Sequence, residues 1–150
     1  MQVKISRLEE TQDLAQKIAS QLKAGDLVEL KGPLGVGKTT FTQALGKALG
    51  VKRPIKSPTY AIVKEYPLDP TSLVHIDAYR LEEGGAETVD ISLYLEGAYI
   101  LVVEWAQFLE DYLPEDRLVI TFEKGQGLEE RLITIESVGS KAPKIELELI

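Results

Sequence analysis

Residues 32–39 read Gly32-Pro33-Leu34-Gly35-Val36-Gly37-Lys38-Thr39. Their spacing is that of the pattern G-x-x-x-x-G-K-[ST], in which glycines let backbone N–H groups turn toward phosphate oxygens. The apolar stretch 27–31 before the pattern predicts a buried strand, and the apolar spacing over 40–49 after it predicts a helix. Strand, glycine-rich loop and helix is the order that a phosphate-binding loop requires, because the helix N-terminus attracts anions.

Two side chains of this loop carry its chemistry. Lys38 would place a positive charge on the β- and γ-phosphates of a nucleotide, and the hydroxyl of Thr39 can ligate Mg²⁺. The alternative is a glycine-rich turn that binds nothing, with Lys38 merely solvated. A chance match to the pattern in such a chain is on the order of half a percent, so the phosphate-binding interpretation is favoured.

Two predicted strands end in a carboxylate that could hold Mg²⁺ or its water. Residues 73–77 form an apolar strand that ends in Asp77, and residues 99–104 form the most continuous apolar run, which ends in Glu104. Burial of Glu104 is costly without a partner, and the alternative is that it meets solvent as the strand leaves the core. His75, the only histidine, is interpreted as a strand residue with a satisfied ring.

Composition limits the class of protein. The 150 residues predict a single domain, 1–150, and the absence of cysteine excludes disulfides and thiolate metal sites. The net charge of −7 predicts poor direct binding to nucleic acid, whose phosphates supply most of such affinity. No apolar stretch is long enough to span a membrane. The N-terminus shows no apolar signal region, so the protein is expected to be cytoplasmic.

The remaining segments complete the predicted fold. Residues 6–9 match a capping box that starts a helix running to about Gly25, and the start of this helix either touches a nucleotide base or only packs. Residues 57–60 could form a switch segment, 117–122 and 131–135 a hairpin, and 144–149 a final strand. We predict an α/β, three-layer sandwich of the P-loop type. Its parallel centre contains 27–31, 73–77 and 99–104, and later strands pair antiparallel.

Four motifs, taken together and in order, resemble one known family. They are the loop 32–39, Ser57-Pro58-Thr59-Tyr60, His75-Ile76-Asp77-Ala78-Tyr79-Arg80 and Val103-Glu104-Trp105. This series closely resembles the bacterial TsaE (YjeE) family over about residues 9–135. The resemblance implies an ATPase that depends on ATP and Mg²⁺, serves the synthesis of threonylcarbamoyladenosine in tRNA, and works with TsaD and TsaB.

The resemblance also implies roles for individual residues. Lys38, Asp77 and Glu104 would be catalytic, and Thr39 and Glu104 would hold Mg²⁺. Thr59 lies in the family's switch-like loop, and Trp105 is an aromatic beside the metal acid. The family loop usually has Asp at the position of Pro33 and often Ala at Val36, and little effect is expected. The implied nucleotide-binding set is Pro33, Leu34, Gly35, Val36, Gly37, Lys38, Thr39, Thr40, Thr59 and Trp105.

Three other functions remain alternatives. A small-molecule kinase would usually carry an arginine-rich lid, whereas the arginines of this chain are scattered. A GTPase commonly reads guanine with an N-K-x-D loop, and the chain contains no asparagine. A binding module that senses ATP without turnover is the third alternative, and two carboxylates at strand ends argue against it.

Overall fold

The computed structural model describes residues 1–33, 35–52, 63–68, 70–78 and 91–146. Within these residues the chain forms one mixed sheet of seven strands, with helices on its faces. The strands are β1 Gln2–Ile5, β2 Leu27–Lys31, β3 Val63–Pro67, β4 Ser72–Asp77, β5 Ile100–Glu104, β6 Arg117–Lys124 and β7 Arg131–Val138. The helices are α1 Leu8–Ala19, α2 Lys38–Leu49 and α3 Ile91–Glu96, and a 3₁₀ helix spans Ala106–Tyr112.

The sheet has a parallel centre and antiparallel margins. Its order is β1-β7-β6-β2-β5-β4-β3, with β2 parallel to both β5 and β6, and β5 parallel to β4. The predicted α/β class and the parallel placement of β2, β4 and β5 are therefore confirmed. The expectation that all later strands pair antiparallel is wrong for β6, which pairs antiparallel with β7 but lies parallel to β2. The connection that contains the 3₁₀ helix returns the chain to the edge of the sheet at which the parallel strands begin, so β6 can lie parallel to β2.

Each face of the sheet has its own apolar core, which accounts for the three layers. One face packs against α1 and α2 through residues such as Ile18, Phe41 and Ile120. The other face packs against the 3₁₀ helix through residues such as Leu27, Val103 and Leu109. Successive residues of a strand alternate between faces, and the first four residues of β2 and all five of β5 are buried, so both strands are covered on both sides.

Two local predictions at the ends of the chain differ from the structure where it describes them. The Ser6–Glu9 capping box does not form: Arg7 precedes the helix without a side-chain cap, and the Ser6 N–H donates to Glu10 at 3.2 Å. The predicted strand 144–149 is absent over 144–146, where the Glu146 backbone instead bonds with the amide of Gln21 at 2.8 Å in both directions, and residues 147–149 lie outside the described residues. A side-chain amide has here replaced a neighbouring strand as the hydrogen-bonding partner.

The described residues include no helix that is both long enough and apolar enough to cross a membrane.

Candidate nucleotide site

The glycine-rich loop has the backbone shape that its sequence predicts. Gly32, Gly35 and Gly37 all have positive φ, at 147°, 75° and 114°. At Gly32 a Cβ would also lie 2.8 Å from the carbonyl oxygen of Phe122, so a larger residue cannot fit without a shift. Gly37 directly precedes α2, whose first turn contains no acidic residue. The first N–H groups of α2 are therefore available to an anion.

Lys38 is the first residue of α2 and lies inside the protein. Its Nζ donates to the carbonyl oxygen of Gly32 at 2.7 Å and lies 3.8 Å from Oε1 of Glu104. Only 5% of the residue is exposed, so the alternative of a merely solvated lysine is wrong. Burial lowers the pKa of Lys38 from 10.5, and the negative charges of Glu104 and Asp77 oppose this shift. The amine thus lies near the loop and under the influence of the Glu104 and Asp77 carboxylates.

The two predicted carboxylates are direct neighbours in the sheet. Asp77 of β4 stands opposite Glu104 of β5, and Glu104 stands opposite Leu30 of β2. Because partners in parallel register point to the same face, both acids lie on the α2 side of the sheet. Glu104 is 4% exposed, so the alternative that it meets solvent is wrong. Asp77 is half-buried.

His75 is a component of the site whose role the sequence interpretation missed. The ring is fully buried, and Nε2 lies 2.6 Å from Oε2 of Glu104. The expectation of a satisfied ring holds for this nitrogen only, since Nδ1 has no hydrogen-bond partner among the described residues. The signal for the contact was the spacing: His75 lies two residues before Asp77 and so shares its face.

Trp105 follows Glu104 and turns the chain sharply out of β5. Its backbone is left-handed, with φ 59° and ψ 43°, which is uncommon for a bulky residue. The turn brings the ring over Lys38, whose Nζ lies 4.4 Å from the ring centroid. Phe108 stacks on the indole at 6.3 Å. The predicted aromatic is therefore brought to the site, and its contact is with the lysine.

The remaining predicted residues of the loop differ in their exposure. Thr39 and Thr40 are half-buried in the first turn of α2, Pro33 and Gly35 are exposed, and Val36 is buried. Leu34 and Thr59 lie outside the described residues, as do Arg80 and the rest of the segment 57–60.

Arg131 of β7 is a second residue that sequence reasoning missed. Its Nε donates to the carbonyl oxygen of Val36 at 2.8 Å, which ties the phosphate loop to the hairpin of β6 and β7. Beside this bond a cavity of about 220 Å³ opens between the start of α1, the loop and the hairpin. Its lining includes Arg7, Leu8, Thr11, Gly37, Thr40, Phe122, Leu128 and Arg131.

A second cavity, of about 390 Å³, adjoins the site on the other side of Lys38. It is polar and contains the buried carboxylate of Glu29, which lies 3.3 Å from Arg117 and 3.6 Å from Lys31. Trp105 also lines it. Lys38 and Glu29 both line this cavity, but the ion pair of Lys38 is with Glu104, whereas Glu29 pairs with Arg117 and Lys31.

The phosphate loop, Asp77, Glu104 and Trp105 follow one another along the chain and meet around Lys38, and the chain can now be compared with known proteins. The model of the family "Threonylcarbamoyl adenosine biosynthesis protein TsaE" matches residues 5–133. The chain belongs to the TsaE family. The match runs from the last residue of β1 to the start of β7, and it includes all of β2, β4 and β5, the strands that carry the residues of the site.

Named relatives and a solved structure agree with this family. A protein from Bacillus subtilis, named tRNA threonylcarbamoyladenosine biosynthesis protein TsaE, is 41% identical over 133 residues, covering 89% of this chain and 83% of the relative. A protein of the same name from Aquifex aeolicus is 46% identical over 101 residues, covering 66% and 71%. The crystal structure of Bacillus subtilis YdiB superposes with a TM-score of 0.77 at 35% identity, covering 94% of this chain and 87% of that one.

Proposed function

We propose that this protein binds ATP with Mg²⁺ and hydrolyses the ATP in support of threonylcarbamoyladenosine synthesis in tRNA. The observation that carries the proposal is the position of Lys38. Its amine lies at the start of a helix, 2.7 Å from the loop carbonyl of Gly32 and 3.8 Å from the carboxylate of Glu104. A triphosphate enclosed by the loop would accept bonds from this amine in place of that carbonyl.

The donor set fits a magnesium ion that arrives with a nucleotide. Among the described residues there is no cluster of three or more His, Cys, Asp and Glu side chains that could hold a metal alone. Mg²⁺ bound to nucleotide phosphates needs only one or two protein ligands, which the hydroxyl of Thr39 and the carboxylate of Glu104 would supply. The ion would neutralise charge on the β- and γ-phosphates. Asp77, next to Glu104, would orient the attacking water.

The cavity at the start of α1 suits the base of the nucleotide. It adjoins Gly37 and Thr40 of the phosphate loop, so a base there would be continuous with phosphates on the loop. Its walls combine apolar side chains such as Leu8 and Phe122 with the polar Thr11, a mixture typical of ligand pockets. This position supports a contact of α1 with the base, beyond its packing role.

Partner dependence is the third part of the proposal. The chain carries a net charge of −7, so tRNA would be met through a partner and not directly. Among the described residues, Lys38 is the one cation of the phosphate loop itself. An arginine supplied in trans can raise hydrolysis by roughly 10³–10⁵. We propose TsaD and TsaB as the partners, with the segments around Thr59 and Arg80 near the contact.

The test is phosphate release from labelled ATP by the purified chain, alone and with a TsaD–TsaB complex. The expected result is slow release alone and at least tenfold faster release with the complex, a factor of about 1.4 kcal/mol in barrier. Lys38→Ala should abolish both, which shows that the phosphate comes from this site. Equal rates with and without partners, together with an unaffected Arg80→Ala variant, would remove the partner-completed site.

The same incubation separates the alternatives. A small-molecule kinase would leave the label on an acceptor, a GTPase would prefer GTP, and a sensor would bind ATP without releasing phosphate.

A further inference from the structure

The hydrogen bond between His75 and Glu104 gives the two oxygens of the Glu104 carboxylate different surroundings. Oε2 lies 2.6 Å from Nε2 of His75, within hydrogen-bonding distance. Oε1 lies 3.8 Å from Nζ of Lys38, beyond hydrogen-bonding distance. One oxygen is therefore anchored in the core, and the other faces the phosphate loop without a close bond to the lysine.

The surroundings of His75 decide which nitrogen carries the proton. An ionised carboxylate only accepts hydrogen bonds, so the ring must donate from Nε2. Nδ1 has no hydrogen-bond partner among the described residues, and the ring is fully buried. A proton on Nδ1 would leave a buried N–H unpaired, which is costly. The geometry therefore favours donation from Nε2 of the ring to Oε2 of Glu104.

We infer that His75 is a positioning residue, whose Nε2–H holds Glu104 so that Oε1 faces the phosphate loop and stays apart from Lys38. The inference rests on the proposed function, in which Glu104 and Lys38 act on the metal and the phosphates separately. It concerns the orientation of a ligand by a neighbouring group, which is how ligating side chains in proteins are commonly held.

The physical reason is competition for the carboxylate. Glu104 and Lys38 are buried, oppositely charged and only 3.8 Å apart, so they attract each other in a medium of low polarity. Without a second anchor the flexible glutamate would close on the lysine. A close ion pair would take the lysine from the phosphates and the carboxylate from Mg²⁺. The bond from His75 opposes that closure.

The first test uses the protein without any ligand. The chain has a single histidine, so its ring nitrogens can be identified without further assignment. Long-range ¹H–¹⁵N correlation spectra at neutral pH should show a proton on Nε2. An Nε2 that carries no proton could not donate to Glu104, and this result would overturn the inference whatever the outcome for ATP.

The second test uses a matched pair of variants. His75→Gln places an amide donor close to the position of Nε2, whereas His75→Leu fills similar space without a donor. Calorimetric titration of ATP, with and without Mg²⁺, measures how much the metal strengthens binding. We expect His75→Leu to lose about tenfold or more of this gain, since loss of such orienting groups costs about 10–100-fold in metal affinity. His75→Gln should stay within about threefold of the original chain.

The outcomes separate the inference from the proposed function. If the original chain binds no ATP, the proposed function fails while the tautomer measurement still stands. If the original chain binds ATP and both variants keep the full effect of Mg²⁺, the positioning role is overturned. Equal losses in the two variants would also overturn it, because they would reflect the shape of the ring and not its donor. Urea denaturation of both variants checks that they fold.

Discussion

Glu29 and Glu104 are both carboxylates buried in the parallel centre of the sheet, yet their partners differ. Glu29 lies 3.3 Å from Arg117 and 3.6 Å from Lys31, so two permanent cations surround it. Glu104 has a histidine at 2.6 Å and a lysine only at 3.8 Å. The two side chains lie on opposite faces, since Glu104 is in register with Leu30, the residue after Glu29.

The difference indicates separate roles for the two acids. A buried carboxylate between two cations is already compensated, and it has no need of a metal. Among the described residues, Oε1 of Glu104 has no partner closer than Lys38 at 3.8 Å, which suits a site that receives a cation with its ligand. We therefore expect Glu29 to act on stability and Glu104 on chemistry, and the variants below test that division.

The largest effect is expected for Glu104→Gln. The amide keeps an oxygen for His75 to donate to but removes the charge offered to Mg²⁺. Phosphate release with the partner complex should fall by roughly a hundredfold or more, about 3 kcal/mol in barrier. Glu29→Gln, the same change on the other face, is the matched control and should stay within about threefold.

A wild-type rate for Glu104→Gln would place the metal elsewhere. If Asp77→Asn then lost the effect of Mg²⁺ on ATP binding, the roles of the two acids would be reversed.

The second prediction concerns stability, where the order of the two variants should invert. Glu29→Gln removes the anion shared by Arg117 and Lys31, and should lower the free energy of unfolding by about 2–3 kcal/mol. Glu104→Gln should cost less than about 1 kcal/mol, because Lys38 keeps the carbonyl of Gly32 and the charge of Asp77. Urea denaturation measures both. Equal losses would contradict the division of roles.

The sequence predicted the parts of this site that depend on local pattern. The loop 32–39, the strands ending in Asp77 and Glu104, and the helix after Lys38 follow from glycine spacing and apolar runs. Their convergence followed as well, because the carboxyl ends of parallel strands meet at one edge of the sheet.

What the sequence did not predict depends on contacts between distant segments. The parallel pairing of β6 with β2 depends on the path of the chain between β5 and β6. The bond from Arg131 to Val36 joins residues 95 positions apart. Glu29 carried one overlooked signal, a charged residue between apolar neighbours, but the position of Arg117 in β6, beside β2, could not be known.

The third prediction separates the two cations of Glu29. Lys31 is an exposed side chain, 55% accessible, whereas Arg117 is 13% accessible. Exposed ion pairs contribute little, so Lys31→Ala should change the free energy of unfolding by no more than about 0.5 kcal/mol. Arg117→Ala should cost about 2–3 kcal/mol, because Glu29 would stay buried without its nearer cation. Urea denaturation of the two variants decides it, and a larger loss for Lys31→Ala would show that the exposed lysine holds the carboxylate.

The smallest effect is a difference in how stability changes with pH, and it tests the lysine of the Glu104 pair. Burial lowers the pKa of Lys38 below 10.5, while Glu104 and Asp77 oppose the shift. Between the lowered pKa and 10.5 the unfolded chain binds more protons than the folded chain, so this group makes stability rise with pH. Lys38→Met lacks the contribution.

The stability of the original chain minus that of Lys38→Met should therefore increase as the pH rises toward 10.5. Urea denaturation at a series of pH values from neutral upward measures this difference, in which the titrations common to both chains cancel. Lys47→Met, on the exposed side of α2, is the control for loss of a lysine as such. A difference that falls with pH would mean that the attraction of Glu104 and Asp77 outweighs burial. Lys38 would then be held as a structural ion pair, like Arg117, and the contrast between the two carboxylates would weaken.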